Sequence, residues 1–229
     1  MRTRRGREEE AEERVDRTGP CRLGVLISGS GTNLENIARR IEEGSLPARI
    51  AVVLSDREDA YGLVRAREHG LQAVFVDPSA FPDRASYDRE LLRILELNGV
   101  DLVVLAGYMR LVGPEFVDRY RHRIMNIHPA LLPSFPGTSG VADALAYGVK
   151  VTGVTVHFVD EGLDTGPIIL QEAVPVLPGD DVETLHQRIH QVEYRLYPEA
   201  IRLFCQGRLR VEGRRVVVVE EGEAGVGLA

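Results

Sequence analysis

The sequence predicts an α/β fold: a doubly wound, mostly parallel open sheet with later antiparallel strands and a long C-terminal helix. Three observations predict it. Short strands, apolar on both faces, alternate with amphipathic helices through residue 127. The pattern then changes to two longer, partly alternating strands at 151–159 and 168–176, which suit antiparallel pairing. Beyond them Leu185, Ile189, Val192, Leu196, Ala200 and Leu203 form one apolar stripe along 182–204.

The elements follow in order. Residues 23–28 are a short apolar run met at once by glycines, and Leu34, Ile37, Ala38 and Ile41 give 33–41 helical spacing. Residues 50–54 are a second buried strand. A helix over 60–69 is closed by Gly70, the residue type that suits the position just past a helix end. Residues 73–76 are a third strand. Tyr87, Leu91, Ile94 and Leu95 share one face of a helix over 84–97, and 102–106 is a fourth strand. A short helix with an early proline spans 114–120, followed by a fifth strand at 123–127. In the long final helix Pro198 is expected to cause a break or kink, because it lacks an N–H. Residues 208–211 and 215–219 flank Glu212-Gly213 as a hairpin.

Composition limits the function classes. The 229 residues are 44% hydrophobic, enough for a sizeable core, and the net charge of −7 opposes a general nucleic-acid-binding face. Lys150 is the one lysine, so arginine or backbone amides must hold any bound phosphate. Cys21 and Cys205 are too few for a disulfide framework or a four-cysteine zinc site, and no histidine pairing is read as a metal site. No apolar run reaches the ~18–20 residues of a membrane span. The expected setting is cytoplasmic. Residues 1–17 carry six arginines and six acids with almost no apolar side chain, so residues 1–20 are expected to be a disordered charged tail. Residues 21–219 are then a single domain, and 220–229 a flexible end.

Two segments suggest chemistry. Ser28-Gly29-Ser30-Gly31-Thr32-Asn33 joins the first strand to the first helix, where an open α/β sheet can hold an anion on helix amides. It is neither a dinucleotide fingerprint nor a Walker loop, and a capped turn with nothing bound explains it equally well. Asn126 and His128 lie two residues apart, on one side of the end of the fifth strand. Asp164 lies in a glycine-rich loop between the later strands. A carboxylate beside the histidine is expected to raise its pKa, and an imidazole with an amide donor can stabilise an oxyanion. Alone, His128 reads better as a satisfied core histidine, and His157 as a structural or supporting one.

Together these pieces resemble the folate-dependent formyltransferase family. The residues that carry the resemblance are Leu26-Ile27-Ser28-Gly29-Ser30-Gly31-Thr32-Asn33-Leu34, Leu105-Ala106-Gly107-Tyr108-Met109-Arg110, Asn126-Ile127-His128-Pro129-Ala130-Leu131-Leu132-Pro133, and Val156-His157-Phe158-Val159-Asp160 with Leu163-Asp164-Thr165-Gly166-Pro167-Ile168. It spans residues 22–211. The resemblance implies direct transfer of a formyl group from 10-formyltetrahydrofolate, as co-substrate and without a metal, to the amine of glycinamide ribonucleotide in de novo purine biosynthesis. It implies catalytic roles for His128, Asn126 and Asp164. It places the ribonucleotide on Gly31, Thr32, Asn33 and Glu193, although Glu193 by itself reads as a solvated helix residue. It places the folate on Arg84, Met109, Arg110, Leu111, Val112 and Asn126. The expected partners are small molecules, with neither nucleic acid nor membrane, and the expected state is a monomer or homodimer. The chain departs from the family pattern at 138–141, where other members often carry a histidine and this one has none. Rival readings are a formyltetrahydrofolate hydrolase, a methionyl-tRNA formyltransferase and a ligand-binding protein without catalysis. The short tail, the early C-terminal end and the intact Asn126–His128–Asp164 set speak against them in turn.

Overall fold

The computed structural model describes residues 19–220. The expectations for residues 1–20 and 220–229 fall outside that range, except at residues 19, 20 and 220. The chain runs β1 (Cys21–Ile27), α1 (Thr32–Glu42), β2 (Ala48–Ser55), α2 (Tyr61–Glu68), β3 (Ala73–Phe75), α3 (Arg84–Leu97), β4 (Leu102–Leu105), α4 (Pro114–Arg119) and β5 (Ile124–His128). It continues through α5 (Gly140–Tyr147), β6 (Val151–Phe158), β7 (Ile168–Pro175), α6 (Val182–Cys205), β8 (Leu209–Glu212) and β9 (Arg215–Val218).

All the strands join one sheet in the order β3-β2-β1-β4-β5-β6-β7-β9-β8. The first five are parallel, and β6 pairs antiparallel with both β5 and β7. Strand alternation explains why the early strands read as apolar on both faces. Val25 and Ile27 of β1, with Leu102 and Val104 of β4, enter a core shared with α1, α2 and α6. Leu26, Val103 and Leu105 enter a second core, against α3 and α4. Strand order reverses between β1 and β4. Their carboxyl ends therefore open onto a crevice not roofed by a crossover helix, the position where open α/β sheets bind ligands.

Three details differ from the sequence expectations. Helix α5 has no counterpart there; no side chain caps its start, and half of its apolar positions are alanine, which weakens the periodic signal. The β8–β9 loop is Gly213-Arg214, because Glu212 itself pairs with Arg215. The third concerns Pro198. Helix α6 continues through it for 24 residues. The missing N–H orphans the carbonyl four residues back, on Tyr194. That oxygen accepts instead from Asn36 Nδ2 at 2.8 Å and Arg40 Nη2 at 3.1 Å, both on α1. At its start α6 is fixed by a reciprocal cap. Asp181 accepts from the Thr184 N–H, while Thr184 Oγ1 accepts from the Asp181 N–H.

Candidate active site

A cleft of about 750 Å³ opens along the carboxyl ends of β1, β4 and β5. The glycine loop and Glu193 line it, as do Arg84, the 109–112 run, the Asn126–His128 pair and the loop bearing Asp164. Every site residue expected from the sequence thus borders one cavity.

At its centre, β5 delivers Asn126 and His128 to the same side, as period two requires. The β6–β7 loop brings Asp164 against both. Asn126 Nδ2 lies 3.4 Å from Asp164 Oδ1 and 3.3 Å from His157 Nε2. His128 Nε2 donates to the Phe135 carbonyl at 2.7 Å, which leaves the lone pair of the neutral ring on Nδ1, 3.5 Å from Asp164 Oδ2. The Gly137 N–H donates to Asp164 Oδ2 at 2.8 Å.

The histidine's titration differs from the sequence expectation. Burial holds His128 below the ordinary histidine value, and the opposing pull of Asp164 and the Phe135 carbonyl does not overcome it. The ring is therefore neutral near pH 7. Burial pushes the Asp164 carboxyl up, but His157, the Gly137 N–H and His128 outweigh it, so Asp164 stays ionised below its usual range. His157 donates from Nδ1 to the Phe158 carbonyl at 2.9 Å and turns Nε2 toward Asn126, the supporting position anticipated for it.

The glycine loop is shaped by close packing. Gly31 has φ +73°, and a Cβ there would stand 2.5 Å from the Gly62 Cα. No side chain caps α1, whose first turn carries Thr32 and Asn33. Asn33 Nδ2 donates to Glu193 Oε2 at 3.0 Å. Asn33 Oδ1 is buried and has no partner among the described residues. Glu193 is only 5% exposed, contrary to the reading of a lone helix glutamate as solvated. Burial pushes its carboxyl up, against Asn33 and His186.

On the opposite side, α3 shapes the 108–113 segment. Asp88 Oδ2 accepts from the Gly113 N–H at 2.7 Å and stands 3.7 Å from Arg84 Nε. Tyr108 donates to Tyr87 at 3.2 Å, and the Arg110 guanidinium lies 5.5 Å above the Tyr87 ring. The Met109 N–H donates to Ser28 Oγ, which donates to Asp56. Met109 and Leu111 project into the open, while Val112 is buried. In the histidine-free stretch, Thr138 lines the cleft and Gly140 packs close to His128 Nε2.

Sequence reasoning passed over Phe135, Asp88, His186 and His190. For the two histidines the signal was present: a four-residue spacing on the helix that carries Glu193. For Phe135 and Asp88, only the folded chain reveals the contacts. Among the described residues no three His, Cys, Asp or Glu side chains are grouped to hold a metal ion, and no helix is long and apolar enough to cross a membrane.

The site can be set beside known proteins. The sequence model described as formyl transferase matches residues 21–201. A phosphoribosylglycinamide formyltransferase of Mycobacterium tuberculosis is 46% identical over 211 residues, covering 90% of this chain and 97% of its own. That of Escherichia coli is 42% identical over 187 residues, covering 82% and 88%. The crystal structure of glycinamide ribonucleotide transformylase 1 from Symbiobacterium toebii superposes with a TM-score of 0.87 at 57% identity, covering 89% of this chain and 96% of that one. With the family match spanning most of its length, and relatives this similar aligned nearly end to end, the chain belongs to the formyl transferase family.

Proposed function

We propose that the chain transfers the formyl group of 10-formyltetrahydrofolate to the amine of glycinamide ribonucleotide, in de novo purine biosynthesis, by direct acyl transfer. One observation carries the reading: Asn126, His128 and Asp164 meet in the cleft that also borders the glycine loop. That cleft is within the usual size range for small-molecule sites. Gly31, Thr32, Asn33 and Glu193 receive the ribonucleotide. Arg84, Met109, Arg110, Leu111, Val112 and Asn126 receive the folate. Residues 21–219 form the catalytic domain, with 1–20 and 220–229 as appendages. The chain acts in the cytoplasm on small molecules, as a monomer or homodimer, with no nucleic-acid partner and no metal.

The side chains divide the work. As the amine attacks the formyl carbon, the carbonyl electron pair moves onto oxygen. Asn126 Nδ2 donates to that oxygen; its contacts with Asp164 and His157 are at the long limit and yield to a stronger acceptor. His128 Nδ1 takes the proton released by the amine, because Nε2–H is already engaged by Phe135. Asp164 stabilises the imidazolium so formed. As the carbon–nitrogen bond to the folate breaks, His128 returns the proton to the departing nitrogen. The two substrates held side by side supply much of the remaining acceleration.

The test is an assay of purified full-length protein with 10-formyltetrahydrofolate, with and without glycinamide ribonucleotide. Formylated ribonucleotide is expected only when both are present. Deformylation at the same rate without ribonucleotide would instead make the chain a hydrolase, and ligand binding with no turnover a binding protein.

A further inference from the structure

His186 and His190 sit one turn apart on α6, with ring centroids 4.1 Å apart, and both border the same cleft as the glycine loop. His190 Nε2 is 3.8 Å from Glu193 Oε2, the oxygen that accepts from Asn33. The imidazole pair thus faces the start of α1 across a shared carboxylate. Tyr194 stacks beneath His190 at 5.7 Å. Nothing in the acyl-transfer steps uses these rings.

A phosphate dianion at this end of the cleft needs positive charge. Lys150 does not border the cleft. Of the arginines that do, Arg57 is paired with Asp59, and Arg84 and Arg110 belong to the α3 side; Arg65, which donates to the Ser30 carbonyl of the loop, is paired with Glu35. The uncapped α1 terminus supplies only a partial charge. Two imidazoles in contact share at most one proton easily, and a nearby dianion is the influence that raises their proton affinity.

We propose that His186 and His190 form the cationic half of the phosphate subsite, taking up one proton from solvent as the ribonucleotide's phosphate seats against Gly31, Thr32 and Asn33. The inference rests on the ribonucleotide reading of that loop. The surrounding charges permit it. On α6 the facing charge is Glu193. From α1 it is Arg40, whose guanidinium holds the Tyr194 carbonyl. Glu172 and Asp180 are neutralised by Arg195 and Arg188, and Asp143 is the one charged residue of α5. Burial holds both rings below the ordinary histidine value, so the free pair is neutral and the proton must be acquired on binding.

Calorimetric titration of the full chain with glycinamide ribonucleotide at pH 7.5, in two buffers of different ionisation enthalpy, tests this. The phosphate is already mostly dianionic there, its second pKa being about 6. The expected result is net uptake approaching one proton, with affinity falling up to roughly tenfold per pH unit above neutrality. His186→Gln with His190→Gln should abolish both the uptake and the slope while folate affinity stays unchanged. The dephosphorylated ribonucleoside should bind with no uptake. Tight ribonucleotide binding without uptake, or uptake that survives the double substitution, would overturn the proposal and leave the loop assignment standing. No ribonucleotide binding by the native chain would overturn both.

Discussion

Phe135 and Asp164, which contact His128 at opposite edges of its ring, both hold left-handed backbone, with φ of 53° and 52°. Neither is a glycine; the conformation costs Phe135 about 1–2 kcal/mol and Asp164, with its short polar side chain, less. The Gly137 N–H ties the two loops together by donating to Asp164. The His128 ring is therefore held by two loops whose backbones are individually unfavourable and jointly fixed, an arrangement that tends to cluster at functional sites.

Asp164→Asn tests this grip at the level of chemistry. The amide keeps the shape but cannot balance a charged imidazole. Turnover should fall by about 10²–10⁴-fold, the range of a lost acid–base contribution. Ribonucleotide affinity, measured by calorimetry, should change less than about threefold, under half the worth of one hydrogen bond to a charged group. Unchanged turnover would remove Asp164 from the mechanism.

The pH dependence has a definite sign. In the proposed mechanism His128 is the neutral base, and burial places its pKa below the ordinary 6.5. At saturating ribonucleotide, kcat/KM for the folate should be flat at neutral pH and fall on acidification through an apparent pKa below 6.5. The Asp164 charge pulls that value up. In Asp164→Asn the residual activity should therefore show the acid limb at still lower pH; a shift upward contradicts the assignment.

Gly31→Ala addresses the loop proposed to receive the ribonucleotide. The new Cβ meets both the positive φ and the Gly62 backbone. The two penalties, about 1–2 kcal/mol for the left-handed backbone and 1–3 kcal/mol for overpacking, should appear in urea unfolding as a loss of at least about 2 kcal/mol. Ribonucleotide affinity should drop while folate affinity is retained. Equal losses for both ligands would mean the loop does not belong to one substrate.

Much of this was legible in the sequence. Helix α3 spans the expected residues, because Asp83 caps its start and Asn98-Gly99 follows its end. The Asn126–His128 pair was readable because strand period alone puts both side chains on one side. What was not readable depended on distant partners. Glu193 is a lone helix acid until Asn33, far away in sequence, donates to it. The depressed pKa of His128 follows from how deeply it is buried, which no local pattern specifies. Pro198 was expected to interrupt α6, but the helix continues, and donors on α1 take up the carbonyl that the proline orphans.

Those donors can be measured. Asn36→Ala should cost about 1 kcal/mol, a typical net hydrogen bond, in urea unfolding. In a Pro198→Ala background the Tyr194 carbonyl can regain a helical N–H, so the same substitution should cost less. Additive effects in this double-mutant cycle would show that the contact does not compensate the proline.

The proline therefore fixes register. Asn33 on α1 and Glu193 on α6 approach the proposed ribonucleotide pocket from opposite helices, and Tyr194, the next residue after Glu193, carries the oxygen that α1 satisfies. A slide of α6 along α1 would break both hydrogen bonds to that oxygen. The spacing of the two helices is thus held twice, by a side-chain pair that lines the pocket and by a main-chain oxygen on a residue that does not.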